Sequence, residues 1–146
     1  MTALLDANVV LRTLLPSDNP QRAVAVVLEA AYDGRFQLLA TDELLDEVRR
    51  KATSKPALAR LVSQSYLRDA LATFSRSSIL LPRLLPPLPA RYRDPCDDYL
   101  LAYAEAGHAD FLVTYDDDLL VLHGALSFGV VSPPAFLTIL RDHGLV

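Results

Sequence analysis

"DFLVTYDDDLL", residues 110–120, joins a short apolar segment to three consecutive aspartates, Asp116, Asp117 and Asp118. The apolar segment, residues 111–114, has the length and composition of a strand buried on both faces of a parallel sheet. Open sheets of this type bind their ligands in the crevice beyond the carboxyl ends of the strands. Asp116 follows the strand by two residues and is therefore a candidate functional residue.

The same alternation of short apolar segments and longer helical patterns runs through the chain. Strands are predicted over residues 2–6, 36–40, 78–82, 111–114 and 128–131. Helices are predicted over residues 8–15, from about 20 to Gly34, over 42–52, 56–76, 95–106 and 119–123, and after Pro134. Thr41 is a predicted N-cap. Short strands separated by helices indicate an α/β fold, with a parallel sheet covered on both faces.

Length and composition limit the class of protein. With 146 residues, 51% of them hydrophobic, and no Gly- or Ser-rich linker, the chain is predicted to form a single domain over residues 1–146. No apolar segment reaches the ~20 residues that span a bilayer, and no basic leader precedes the first strand. We therefore expect a cytoplasmic protein without a membrane segment. The single cysteine, Cys96, excludes an internal disulfide and a CxxC metal site.

The charge balance argues against a protein that binds polyanions by charge alone. The formal net charge is −4, whereas such binders are usually strongly basic. A local basic cluster could still hold a phosphate backbone, although a solvated helix face explains it equally simply. The cluster contains Arg49, Arg50, Lys51, Lys55 and Arg60.

Acidic residues converge on the predicted carboxyl edge of the sheet. Asp6 ends the first strand, and Asp116 follows the fourth. Two further acidic groups, "TDELLDEV" (41–48) and "DPCDD" (94–98), lie in the first turns of helices that should begin near the same edge. These segments bring acids from four separate elements to one place.

Helix capping competes with function as the explanation of these acids. Asp94 fits an N-cap and Asp97 the N3 position of one helix, which leaves Asp98 unexplained. Asp117 or Asp118 can cap the short helix after the fourth strand, which leaves Asp116 unexplained.

Asp6 and Glu47 also have structural alternatives. Asp6 could cap the first helix, for which Asn8 is an equal candidate. Glu47 could form an exposed i,i+4 ion pair with Lys51, worth only about 0.3–0.5 kcal/mol.

Taken together, the unexplained acids predict a metal site. Asp6, Glu47, Asp98 and Asp116 would repel one another if they met at one sheet edge without a cation. Oxygen ligands without a cysteine or histidine cluster favour Mg²⁺ or Mn²⁺ over zinc. A hard cation that keeps several waters is typical of phosphoryl chemistry, in which it activates water and neutralises charge on phosphorus.

Three segments of the chain resemble the PIN-domain nucleases. They are "LLDANVVL" (4–11), "TDELLDEV" (41–48) and "RDPCDDYLLAYAEAGHADFLVTYDDDLL" (93–120). The resemblance covers nearly the whole chain. Within the family, the chain is similar to the subgroup described as toxin components of type II toxin/antitoxin systems.

This resemblance implies a three-layer α/β/α sandwich around a mostly parallel five-stranded sheet. It implies a metal-dependent endoribonuclease that uses metal-activated water and leaves a 5′-phosphate and a 3′-hydroxyl. The implied metal ligands and catalytic residues are Asp6, Glu47, Asp98 and Asp116, with Mg²⁺ or Mn²⁺ as cofactor. Asn8 and Thr114 would orient a carboxylate, a water or the phosphate. The implied partners are an RNA substrate, a cognate antitoxin and a second copy of the chain.

Several alternatives stay open on the sequence. Glu43 could replace Glu47, because the two lie one turn apart on one helix face, and Asp97 could replace Asp98. Asp94 and Asp118 also match the subgroup pattern, so each could support the site as well as cap a helix. At the level of function, the alternatives are a non-catalytic interaction module and a haloacid-dehalogenase-like phosphatase with Asp6 as the nucleophile.

Overall fold

A computed structural model describes residues 1–19, 22–85 and 99–146. Within these ranges the chain forms one sheet of five strands. The strands are β1 (Thr2–Leu5), β2 (Gln37–Ala40), β3 (Ser78–Leu80), β4 (Phe111–Val113) and β5 (Gly129–Val131). The segments that alternate with them form eight helices in the described residues. They are α1 (Ala7–Leu14), α2 (Ala23–Tyr32), α3 (Asp42–Ser54), α4 (Pro56–Leu61), α5 (Gln64–Arg76), α6 (Tyr99–Ala106), α7 (Asp117–Leu120) and α8 (Pro133–Asp142).

The sheet has the order β3-β2-β1-β4-β5, and every pair of neighbouring strands is parallel. The chain builds outward from β1 to β2 and β3, and then crosses to the other side of β1 to form β4 and β5. Right-handed crossovers in opposite directions place helices on both faces of such a sheet. The three-layer α/β/α fold is therefore confirmed, and its topological switch point lies between β1 and β4.

Apolar residues account for the central strands. Ala3, Leu4 and Leu5 of β1 are fully buried, and Leu112 and Val113 of β4 are fully buried beside them. Strands covered on both faces need continuous apolar segments instead of alternating ones. This packing fixes the two strand ends that precede Asp6 and Thr114.

Most element boundaries agree with the sequence prediction, but segment 56–76 is two helices and not one. The backbone N–H of Val62 donates to the carbonyl of Leu58 and closes α4. The side chain of Ser63 then accepts a hydrogen bond from the N–H of Tyr66 at 3.2 Å and caps α5. A serine that can cap a new helix competes with continuation of the old one.

The start of α2 also differs from the prediction. The helix begins at Ala23, because Arg22 adopts an extended conformation at the N-cap. The guanidinium of Arg22 donates to the carbonyls of Arg12 at 2.8 Å and Leu15 at 3.1 Å. These bonds tie the residue to the end of α1, so tertiary contacts determine where α2 starts.

Part of the predicted acidic segment lies outside the described residues. The predicted cap Asp94, its neighbour Asp97 and the proposed ligand Asp98 all fall in 86–98. Their roles, and the choice between Asp97 and Asp98, stay predictions. Among the described helices, none combines the length and apolar character needed to cross a membrane.

Candidate active site

Asp6, Thr114 and Asp116 are linked by hydrogen bonds at the carboxyl edge of β1 and β4. The hydroxyl of Thr114 donates to Oδ2 of Asp6 at 2.7 Å. The same hydroxyl oxygen accepts the backbone N–H of Asp116 at 3.0 Å. The backbone N–H groups of Asp6 and Thr114 donate to the carbonyls of the neighbouring strands at 2.9 Å, so the sheet itself holds both residues. One buried hydroxyl thus connects two of the predicted acidic residues across the switch point.

The environment of Asp6 opposes its charge. Asp6 and Thr114 are both buried, with exposed fractions of 5% and 0%. Burial is the main cause that raises the pKa of Asp6 above its ordinary value, and the negative charge of Glu47 adds to it. The hydrogen bonds from Thr114 and the Ala7 backbone, and the positive charge of Lys51, act in the opposite direction. A further cation near Asp6 would stabilise its ionised form.

Asp116 has a structural contact that the sequence did not predict. Its Oδ1 accepts the backbone N–H of Asp118 at 2.9 Å, which makes Asp116 itself the N-cap of α7. The predicted cap, Asp117 or Asp118, is therefore wrong, because both residues lie inside the first turn of the helix. The predicted helix over 119–123 is likewise shifted to residues 117–120. Asp116 is exposed, and its Oδ2 has no hydrogen-bond partner among the described residues.

Helix α3 brings Glu47 to the same edge. The helix begins at Asp42, directly after Thr41, whose hydroxyl accepts the N–H of Leu44 at 2.9 Å, so the predicted N-cap is confirmed. Oε1 of Glu47 pairs with Nζ of Lys51 at 3.0 Å, and Oε2 accepts the hydroxyl of Tyr99 at 2.6 Å. Nζ of Lys51 also donates to Oδ1 of Asn8 on α1 at 3.3 Å. The Glu47–Lys51 pair forms as the i,i+4 alternative requires, but it also connects two helices.

The two glutamates of α3 have different neighbours. Oε1 of Glu43 lies 3.5 Å from Nε of Arg83. The hydrogen bond and the charge of Glu43 contribute to the raised pKa of Tyr103, after burial, which is the larger cause. Glu47, and not Glu43, is the glutamate whose charge acts on Asp6. These contacts favour Glu47 as the glutamate of the site.

A cleft of about 550 Å³ lies next to Asp116. Asn8, Arg12, Lys55 and Tyr115 line it together with Asp116, Asp117 and Asp118. The guanidinium of Arg12 lies over the ring of Tyr115, 4.2 Å from its centroid. Positive side chains beside an aromatic ring are typical of surfaces that bind single-stranded nucleic acid. The sequence did not single out Arg12 or Tyr115, because their approach depends on how α1 packs near β4.

The basic cluster of the sequence is divided between different surfaces. Arg49 pairs with Asp46 at 3.1 Å, and both side chains are more than half exposed, at 54% and 68%. Lys51 instead turns toward Glu47 and Asn8, and Lys55 lines the cleft beside Asp116. A solvated face explains Arg49, whereas Lys51 and Lys55 lie at the predicted site.

The structure thus brings together most of the predicted site residues, while Asp98 lies outside the described part. Asp6, Asn8, Glu47 and Thr114 are connected by contacts or charge interactions, and Asp116 is joined to them through Thr114. Within residues 1–19, 22–85 and 99–146, no three acidic, histidine or cysteine side chains are close enough to form a metal cluster. Spacing alone could not reveal Tyr99 as a partner of Glu47, since 52 residues separate them.

Comparison with known proteins agrees with this geometry. A family model described as "PIN domain" matches residues 2–118, which cover β1 to β4 and all the described site residues. No curated protein and no solved structure matches the chain. Since the family match covers most of the sequence, this chain belongs to the PIN domain family, whose fold is of the nuclease type.

Proposed function

We propose that this protein is a metal-dependent endoribonuclease whose active site contains Asp6, Glu47, Asp98 and Asp116. The observation that carries the proposal is the hydrogen-bonded connection from Asp116 through Thr114 to Asp6 at the switch point. Glu47 approaches the same place from α3 and interacts electrostatically with Asp6. Carboxylates from separate elements at this edge are what a phosphodiesterase site would need.

The donor atoms suit a hard divalent cation. Asp6, Glu47 and Asp116 offer carboxylate oxygens, and Asp6 is buried in surroundings that disfavour its charge. Mg²⁺ and Mn²⁺ prefer such ligands. When bound, the cation supplies activation of water and neutralisation of charge on the phosphate. Thr114 holds Asp6 through its hydrogen bond, and on this proposal Asn8 orients a water or the phosphate.

RNA as the substrate is supported by the cleft beside Asp116. The guanidinium of Arg12 and the ammonium of Lys55 can contact phosphates, and Tyr115 offers an aromatic ring near them. An RNA strand bound in this cleft would pass directly beside Asp116. Local cations of this kind are compatible with the overall charge of −4, because binding depends on the local field.

The proposal is tested by Asp6→Asn, with Asp142→Asn, an exposed residue at the end of α8, as the matched control. Both substitutions remove one carboxylate charge, but only Asp6 is bonded to Thr114. We expect Asp6→Asn to lower RNA cleavage in Mg²⁺ or Mn²⁺ by about a hundredfold or more, and Asp142→Asn to leave it within about twofold. End-labelled single-stranded RNA gives both the rate and the chemistry of the new ends. Cleavage by Asp6→Asn at the parent rate would contradict the site.

A toxin role is the finer part of the proposal, and its support is the resemblance to the toxin subgroup. On this proposal a cognate antitoxin blocks the site, and two copies of the chain associate. Expression in a heterologous host should arrest growth, and Asp6→Asn should not. Growth unaffected by the active parent would contradict the toxin role without contradicting the nuclease activity. Sedimentation at micromolar concentration would show whether the chain dimerises.

A further inference from the structure

Lys51 makes one contact more than an ordinary i,i+4 ion pair on a helix surface. Its ammonium contacts two residues on two helices, Oε1 of Glu47 at 3.0 Å and Oδ1 of Asn8 at 3.3 Å. Its side chain is only 27% exposed, compared with 54% for Arg49 two residues earlier. Lys51 therefore lies within the acidic site, while Arg49 forms an ordinary surface pair.

The carboxylate of Glu47 has both of its oxygens engaged. Lys51 pairs with Oε1, and the hydroxyl of Tyr99 donates to Oε2 at 2.6 Å. Each carboxylate oxygen carries two lone pairs, so an oxygen that accepts one hydrogen bond can still bind a divalent cation. The phenol is neutral, so it can remain bonded to a ligand oxygen. The ammonium carries a like charge, so it would be repelled by a metal ion on the same carboxylate.

From these contacts we propose that Lys51 is a built-in counter-ion, which a divalent cation repels and displaces from Glu47 when it binds. The proposal rests on the proposed function, since it concerns the same site. In the metal-free protein, Lys51 partly neutralises Glu47 and acts favourably on the ionised form of Asp6. The same ammonium competes with the metal and so lowers the affinity of the site.

The test measures metal affinity without using catalysis. The spectrum of free aqueous Mn²⁺ in electron paramagnetic resonance gives the dissociation constant for the parent, Lys51→Met, Lys51→Arg and Arg60→Met. We expect Lys51→Met to bind Mn²⁺ about tenfold more tightly, because it removes a unit charge a few ångströms from a ligand. Lys51→Arg keeps the competing cation. Arg60→Met removes an exposed charge on α4 that salt screens. Both controls should stay within about twofold of the parent.

The possible outcomes separate this inference from the proposed function. Binding by Lys51→Met that is unchanged or weaker than that of the parent would overturn the counter-ion role alone. A parent that bound no Mn²⁺ at millimolar concentration would overturn both the role and the metal dependence. If circular dichroism in EDTA showed that Lys51→Met is unfolded at 25 °C, Lys51 would be a structural residue. That result would also overturn the inference. An equal gain of affinity in Arg60→Met would show that the net charge of the protein causes the effect, and this would overturn the specific role of Lys51.

Discussion

At the scale of single residues, the site combines burial with incomplete charge compensation. Asp6 is 5% exposed, and Thr114, the donor to its carboxylate, is fully buried. The burial that fixes the position of Asp6 also makes its ionised form unfavourable. A group of this kind costs stability in the metal-free protein, and a bound cation would recover that cost.

Asp6→Asn should therefore make the metal-free protein more stable at neutral pH. Because burial raises the pKa of Asp6 in the folded state, the folded chain binds more protons, and stability falls as pH rises. This fall begins near the unfolded-state pKa of about 3.9 and is complete above the folded-state pKa. The asparagine oxygen can still accept the Thr114 hydrogen bond. Urea unfolding in EDTA should show the two proteins diverging as pH rises from 3.5 to 7.

The control for this experiment is Asp117→Asn, which removes an exposed charge. Its stability difference from the parent should be small and should not follow the same pH window. A parent more stable than Asp6→Asn across the whole range would mean that the carboxylate is favourable in the folded state. That result would contradict the charge balance described for Asp6.

At the scale of elements, α3 determines how Glu47 and Lys51 meet the sheet. The buried face of the helix consists of Leu44, Leu45, Val48 and Ala52. Glu47 and Lys51 lie at the border of this face, so they reach the site while the apolar face packs against the core. The Thr41 cap fixes where the helix begins, and thereby the position of Glu47 relative to the carboxyl edge of the sheet.

Thr41→Val should destabilise the protein while keeping the buried volume nearly constant. The substitution removes the hydroxyl that accepts the N–H of Leu44, and the loss of such a cap costs about 1–2 kcal/mol. Ser63→Ala removes the equivalent cap of α5, which is exposed and carries no site residue. It should cost about 1 kcal/mol or less and leave Mn²⁺ affinity unchanged. Urea unfolding measures both variants, and equal stability of Thr41→Val and the parent would contradict the role of the cap.

At the scale of the whole molecule, the strand order decides what lies near the site. The order β3-β2-β1-β4-β5 places the ends of β1 and β4 side by side, although 108 residues separate Asp6 from Thr114. Helix α1 leaves this edge directly after Asp6, which brings Arg12 over Tyr115. One acidic chain thus presents both a carboxylate site and a neighbouring cleft to which Arg12 and Lys55 contribute positive charge.

Arg12→Ala should weaken RNA binding more than it slows the chemical step. The guanidinium lines the cleft beside Asp116 and touches the Tyr115 ring, so its loss should raise KM by about fivefold to tenfold and change kcat little. The slope of log KM against log salt concentration should also decrease, by about the contribution of one phosphate contact. Arg141→Ala, at the far end of α8, is the control. A lower kcat at constant KM would contradict a binding role for Arg12.

The sequence predicted the fold well where local composition decides structure. Continuous apolar segments indicated a parallel sheet, and the hydroxyl of Thr41 indicated where α3 begins. It was less successful where alternatives had similar local energies. The local pattern of segment 56–76 is compatible with one helix or two. The cap that Ser63 provides for α5, together with the burial of Val62, favours two.

The sequence by itself determined the family, the layered α/β architecture and the identities of the candidate acids, because strand burial and residue chemistry are local properties. Only the tertiary structure decided which atoms meet. It showed that Thr114 joins Asp6 to Asp116, that Asp116 caps its own helix, and that Lys51 and Tyr99 bind the two oxygens of Glu47. These contacts depend on strand order and helix packing, which bring distant parts of the chain together and which no local pattern specifies.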